Sequence, residues 1–324
     1  MNWIKRTLKE IKAQTKKVFK KQEKIDPSAS LWQSCINGHI NYKDSLVKQD
    51  WICEKCQYYF DKPPLATVNT WFPEGGTFIE PPKGLVDDDP LQWRTEIGNY
   101  KDKLAKARKK EKQWCSIVCY KGVVDQLKVH LLVNNFKFLG GSWDNNCAHY
   151  FRKAVSDAIE NDCDLFVLVL KSGGVSMYHS TLALNSVMGG GVINLNRLKE
   201  KNIVTASICQ SKTTGGVLGS VAYTSDFVIY EKGAHDVSFA GRRVAEKYIE
   251  PGKTMDENYA TASEKKATGM ADLVLDRDQL KPTICTLAKI LKKKESSATI
   301  IDKTQDDNTI DTSREILPKT AEKI

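Results

Sequence analysis

Two glycine pairs stand where the chain could hold an oxyanion. One is Gly215-Gly216, inside VTASICQSKTTGGVLGSV from Val204 to Val221. A β-branched apolar run ends at Cys209, three polar residues follow, and small residues at helical spacing come after the glycines. That pattern reads as a strand entering a turn that opens a buried helix. Without Cβ atoms a turn lets a ligand approach the backbone, and the first N–H groups of a helix have no internal partner. Such groups can meet developing negative charge. Taken alone, the turn reads equally well as a tight crossover with glycines for packing. The other pair, Gly173-Gly174, also follows an apolar run, Leu165 to Leu170, and favours the chemical reading.

A second set of residues suits a metal. Cys53 and Cys56 form a CxxC knuckle, and Cys35 and His39 lie upstream with Gly38 at the place of a second knuckle cysteine. Cys35, His39, Cys53 and Cys56 would make a tetrahedral Cys3His zinc site. The alternative is a decayed ribbon that holds metal weakly. About 30 residues cannot build a large core, so a metal would supply much of this segment's stability. The other cysteines, Cys115, Cys119, Cys147, Cys163, Cys209 and Cys285, read as small core residues. An odd total of nine cysteines argues for a reducing compartment, here the cytoplasm, over a disulfide framework.

These residues need elements to position them. Residues 1–30 read as a basic amphipathic helix that packs on its own protein or a partner, or lies on an anionic surface. Nine Lys or Arg stand against two Glu between Met1 and Lys24, so this stretch supplies +7 of the net +9. The remainder is near neutral and carries no charge argument for polyanion binding. Residues 31–61 form the ribbon and 62–113 a Pro- and Gly-rich linker with a polar surface helix from Asp89 to Lys112. From 114 to 294, strands alternate with helices, which predicts α/β units with right-handed crossovers. The strands are Ser116 to Val124, Leu127 to Phe138, Leu165 to Leu170, the run into Cys209, Phe227 to Tyr230 and Leu273 to Leu275. Helices are predicted over 147–160, over 179–198 with a break at Gly189-Gly190-Gly191, from Arg242, and over 258–268. Residues 295–324 are polar, without aromatics, and read as a disordered tail. No run approaches the ~20 apolar residues of a membrane helix, and no apolar segment of a secretory signal follows the basic start.

The order of DPLQW, YKDKLAKA, FLGGS, SGG, TTGGV, SFAGRRV and KATGMADLV, after the CxxC knuckle, resembles the β subunit of acetyl-CoA carboxylase carboxyltransferase. The resemblance implies a zinc ribbon followed by a ClpP/crotonase-like ββα superhelix. It implies transfer of a carboxyl group from carboxybiotin, on a biotin carboxyl carrier protein, to acetyl-CoA, giving malonyl-CoA for fatty acid synthesis. It implies an α-subunit partner, with biotin carboxylase in the wider complex. Carried over, backbone N–H groups of Gly173, Gly174, Gly215 and Gly216 hold the enolate oxygen, and Gly140, Gly141, Lys212 and Gly241 lie at the CoA thioester. Lys212 reads as a phosphate contact or as a solvated loop lysine. The family's SGGARMQE stands here as SGGVSMYHS, with Ser176 and His179 in place of Arg and Glu. His179 reads as an acid or base in altered chemistry, or as an ordinary polar residue at a helix start. A specialised paralogue, such as a malonyl-thioester decarboxylase-like subunit, would use the same glycine turns. Nucleic-acid binding by the arm and ribbon is a secondary expectation.

Overall fold

The structure is a computed structural model and describes residues 31–305 apart from 83, 85–86, 96–97 and 251–252. The expected helix over 1–30 lies outside the described residues, as does the tail from 306. The chain divides into two compact units, one ending at Lys62 and one beginning at Pro63.

In the first unit, β1 (Trp32–Ser34) and β2 (Ile40–Tyr42) pair antiparallel, and α1 (Lys43–Lys48) follows. Gly38 turns the hairpin at φ 77°, a conformation that costs glycine little. Its N–H donates to Cys35 O at 3.0 Å. A second tight turn brings the Cys53 N–H to Tyr58 O at 2.9 Å. The apolar core is small: Cys35, Leu46, Cys53 and Phe60, with Trp51, Cys56 and Tyr58 at its edge.

The second unit is built on an eight-stranded mixed sheet. Its strands are β3 (Thr77–Ile79), β6 (Ile117–Val124), β7 (Leu127–Asn134), β8 (Leu165–Ser172), β9 (Val204–Thr214), β10 (Phe227–Glu231), β11 (Val237–Ser238) and β12 (Leu273–Leu275). The order is β12-β10-β9-β8-β7-β6-β3, with β11 paired to β9. Strands β7 to β10 and β12 run parallel, while β6 is antiparallel to both its neighbours. A separate short hairpin, β4 (Arg94–Thr95) with β5 (Gly98–Asn99), precedes α3 (Tyr100–Glu111). The surface helix is therefore shorter than expected. Asn99 stops it from starting earlier, its side chain accepting the Asp102 N–H at 2.7 Å as N-cap.

Helices cover both faces. The core on one face takes α4 (Asn145–Glu160) and α6 (Gly190–Glu200), and the core on the other takes α2 (Pro64–Trp71) and α9 (Arg277–Gln305). Strand β8 shows the logic: Phe166, Leu168 and Leu170 enter the first core, and Leu165, Val167 and Val169 the second. A strand with two covered faces must be apolar without alternation. No break occurs at Gly189-Gly190-Gly191. The short helix α5 (Ser180–Ala183) runs through a π-helical turn, Leu184–Gly189, into α6. Helix α7 is Arg242–Ala245, and α8 spans Ala262–Ala267. The later start of α8 is set by Thr261, whose hydroxyl caps the Glu264 N–H at 3.2 Å. Helix α9 runs to Gln305, past the expected tail boundary at 295, because no Gly or Pro interrupts it after Pro282.

Candidate active site and metal centre

Strand β9 does not end at Cys209. Cys209 pairs with Leu170, and Thr213 with Ser172, so Gln210, Ser211 and Lys212 bulge between them. The strand resumes at Thr213-Thr214, and the turn follows with Gly215 at φ 60°. Gly216 is already helical and caps a π-helical turn, Val217–Ala222. All residues of that turn but the exposed Gly219 pack inward, as the small-residue spacing predicts.

The two glycine turns meet at the carboxyl ends of β8 and β9. A Cβ on Gly174 would lie 3.2 Å from Thr214 O and 3.5 Å from the Gly215 Cα. A Cβ on Gly216 would lie 2.7 Å from Val175 Cγ2 and from Met188 Sδ. Gly174 is thus required by the close approach of two backbones, and Gly216 by the side chains of Val175 and Met188 packed against it.

The hydrogen bonds correct the donor assignment within the turns. Gly173 donates its N–H to Gly140 O at 2.8 Å. Gly174 donates to Ser172 Oγ at 3.0 Å, and Gly215 to Phe239 O at 3.1 Å. Three of the four expected donors are therefore committed to the fold. Gly216, in the first turn of its helix, keeps an N–H with no protein acceptor among the described residues. So does Val175. Its neighbours form a bridge with Trp143, the Trp143 N–H bonding Gly174 O at 3.0 Å and the Ser176 N–H bonding Trp143 O at 2.7 Å, and the Val175 N–H is left over. Val175 was invisible as a donor because nothing in a valine's type marks its backbone. The signal was its position, one residue past the glycine pair.

Beside Gly173 and Val175 lies a cavity of about 240 Å³, with Tyr100, Phe138, Asp144 and Tyr178 in its wall. Tyr178 stacks on Tyr100 with centroids 4.3 Å apart, and the Tyr100 hydroxyl donates to Asp144 Oδ2 at 3.2 Å. Burial, then the negative charge of Asp144, holds the Tyr100 phenol far above the ordinary tyrosine range, so it is a donor throughout the working pH range.

The remaining expected contacts divide. Gly140 and Gly141 flank this cavity through Leu139 and Ser142. Gly141 is demanded by packing, since a Cβ there would lie 2.1 Å from Lys171 O. Lys212 sits in the bulge, exposed, its Nζ 5.9 Å from the centre of the Phe136 ring. Gly241 precedes a helix end already capped by Asp236, whose Oδ1 accepts the Arg242 N–H at 2.5 Å. His179 is fully buried. Its Nδ1 accepts the Asn145 N–H at 3.2 Å, and its Nε2–H donates to Asp88 O at 3.0 Å. With both nitrogens bonded to backbone, it is a clamp and has no lone pair or proton to offer a substrate. Ser176 is buried and lines the cavity.

In the first unit, one ligand atom from each of Cys35, His39, Cys53 and Cys56 lies within 4.8 Å of the others. Cys35 Sγ and Cys56 Sγ are 3.7 Å apart, and Cys53 Sγ is 3.9 Å from His39 Nδ1. Tetrahedral zinc with bonds of ~2.3 Å to sulfur sets ligand atoms at about this separation. Burial opposes ionisation of Cys53, but the Cys56 and Lys55 N–H groups outweigh it and bring the thiol to about 6. The four groups fit a metal, and all positions are filled by protein, as in a structural site.

A carboxyl transferase domain model matches residues 93–323. The acetyl-coenzyme A carboxylase carboxyl transferase subunit beta of Pelagibacter ubique is 31% identical over 299 residues, 92% of this chain and 94% of that protein. The subunit of the same name from Allorhizobium ampelinum is 31% identical over 286 residues, 88% and 90% of the two chains. Among solved structures, the β subunit of P. aeruginosa geranyl-CoA carboxylase aligns with a TM-score of 0.50 at 15% identity, over 77% of this chain and 40% of that one. That likeness shows the fold, a mixed α/β crotonase-like sheet. No helix among the described residues is long and apolar enough to cross a membrane.

Proposed function

The chain belongs to the carboxyl transferase family, with the β subunits of acetyl-CoA carboxylase, and on that premise we propose that it forms malonyl-CoA from acetyl-CoA with the Val175 and Gly216 N–H groups holding the enolate oxygen. The observation that carries this reading is their shared state: two uncommitted donors on turns in contact, with Val175 in the wall of the cavity. When the methyl C–H bond of acetyl-CoA breaks, charge moves to the thioester oxygen. Donors fixed before that moment stabilise it without reorganisation. The methyl carbon then bonds the transferred carboxyl carbon. Carboxybiotin, delivered by a carrier protein, supplies the carboxyl group and, once free of it, a ureido nitrogen able to take the methyl proton. Gly173, Gly174 and Gly215 shape the turns, and their committed N–H groups hold the two free donors in place. Tyr100, Phe138 and Tyr178 give the cavity apolar walls that exclude water from the acyl group.

Partners follow from the family. An α subunit would complete the site with donors for biotin, and a biotin carboxyl carrier protein and biotin carboxylase would feed it. Cys35, His39, Cys53 and Cys56 would hold one zinc ion that fixes the ribbon. The thiol-rich composition suits the cytoplasm.

The test is carboxyl transfer from carboxybiotin to acetyl-CoA by this chain with a matched α subunit, wild type against Gly216→Val. The valine places methyl groups over the free N–H and against Val175. Turnover should fall by about 10²–10³, the usual cost of losing an oxyanion donor, while the circular dichroism spectrum is kept. Undiminished turnover in a folded variant removes the donor role. Loss of carboxyl from malonyl-CoA without biotin or α subunit would point to the decarboxylase-like alternative.

A further inference from the structure

A second pocket, of about 470 Å³, is lined by Pro82, His149, Arg152, Lys153, Ser156 and Arg197 and by none of the glycine-turn residues. His149, Arg152, Lys153 and Ser156 share one face of α4 by helical spacing, and Arg197 reaches in from α6. Every ionisable group in the lining is basic.

Two other arginines of this unit meet carboxylates, Arg108 on Asp88 and Arg277 on Glu231, while Arg242 bonds backbone carbonyls. Arg152 and Arg197 have no carboxylate within 4.0 Å among the described residues. Their donors instead meet neutral groups that orient them. Arg197 Nη1 donates to Asn194 Oδ1 at 3.1 Å and Nη2 to Ser156 Oγ at 3.4 Å. Arg152 Nη2 donates to His149 Nδ1 at 3.1 Å, which leaves the His149 Nε2 as an N–H donor. Lys153 is anchored through Glu80 O at 2.7 Å. Cations gathered without a counter-charge repel one another, and an anion between them turns that repulsion into attraction. Guanidinium forks match phosphate oxygens in pairs, and the volume is that of a small-ligand site.

We propose that this pocket binds a small diphosphate-class anion between Arg152 and Arg197. Asp144, in the wall of the catalytic cavity, lies eight residues before Arg152 on the same helix, roughly 12 Å away at 1.5 Å per residue. The pocket is therefore separate from the enolate site, yet within reach of a long phosphorylated ligand.

Calorimetric titration of the full chain with inorganic pyrophosphate tests this without turnover, so its result is independent of the proposed reaction. Wild type should show one saturable site. Arg152→Gln and Arg197→Gln should each weaken it by roughly tenfold or more, the loss of one charge-assisted contact. Lys128→Gln, which removes a remote surface charge, should leave it unchanged. Titrations with ADP and with CoA assign the source. Tighter, arginine-dependent binding of ADP makes the occupant a nucleotide, and of CoA makes it the substrate's own phosphates. Absence of saturable pyrophosphate binding in wild type, or binding indifferent to both arginine substitutions, overturns the proposal.

Discussion

His179 shows how little a residue type says until its partners are known. In sequence it stands where the family has a glutamate, and a histidine so near a glycine turn invites an acid–base role. In the fold it fastens the segment at Asp88 to the start of α4, with both nitrogens bonded to backbone. Asp88 is itself held by Arg108 at 2.5 and 2.8 Å. Burial works against that carboxylate, but Arg108 outweighs it and holds Asp88 below the usual range. We expect His179→Ala to leave the Asn145 N–H and Asp88 O without partners, at a cost of roughly 1–3 kcal/mol for each. Urea unfolding measures this. Turnover per folded molecule should stay within a few-fold of wild type. A deep loss of kcat at unchanged stability would return His179 to the chemistry.

At the scale of elements, the parallel strands were legible because burial on both faces demands unbroken apolar runs, and Leu165 to Leu170 has nothing else it could be. The β6–β7 turn was equally plain, with Asp125 and Gln126 at φ 47° and 72°. The bulge at Gln210–Lys212 was not. Three polar residues signal the end of a strand, and only the pairing of Thr213 with Ser172 shows that the strand resumes. Three of the four expected N–H groups, those of Gly173, Gly174 and Gly215, are committed to the fold for a related reason: glycine marks where backbones approach, whereas a free N–H depends on which acceptors the approach supplies. The same sheet contains a pH-sensitive joint. His130 on β7 donates from Nε2 to Asp157 Oδ2 on α4 at 2.7 Å, and Lys121 on β6 reaches both Asp157 oxygens at 2.9 Å. The His130 Nδ1 is buried without an acceptor, so a second proton there has nowhere to place its charge. Burial lowers the His130 pKa, against the opposing pull of Asp157. The unfolded chain then binds the proton more readily than the folded one, and stability rises with pH. This contribution is whole above the unfolded value of about 6.5 and is lost as pH falls through the lower folded value. His149, also lowered by burial and by Arg152, adds in the same sense. We expect the urea midpoint to fall between pH 7.5 and 5.5, and His130→Gln to flatten part of that slope. A midpoint that rose on acidification would contradict the joint.

For the molecule as a whole, the two units rest on different physics. The larger buries two apolar cores, one on each face of its sheet, which is enough surface to hold a domain of this size without a metal. Among its described residues the smaller buries four apolar ones, and two of them, Cys35 and Cys53, are candidate ligands. Subtracting them leaves Leu46 and Phe60, too little to offset the entropy of ordering some thirty residues. A tetrahedral ion would close that gap, because in a segment this small the free energy of metal binding is free energy of folding. Cys53→Ser removes one ligand, and excess chelator removes the metal. Both should cost bound zinc, about one ion per chain by elemental analysis, and disorder the ribbon, read from the fluorescence of Trp32 and Trp51. The main thermal transition, which belongs to the sheet, should move by no more than a few degrees. A ribbon that kept its fluorescence and protease resistance after loss of zinc would show that its small core suffices. A main transition that collapsed with the metal would show instead that the sheet depends on the ribbon.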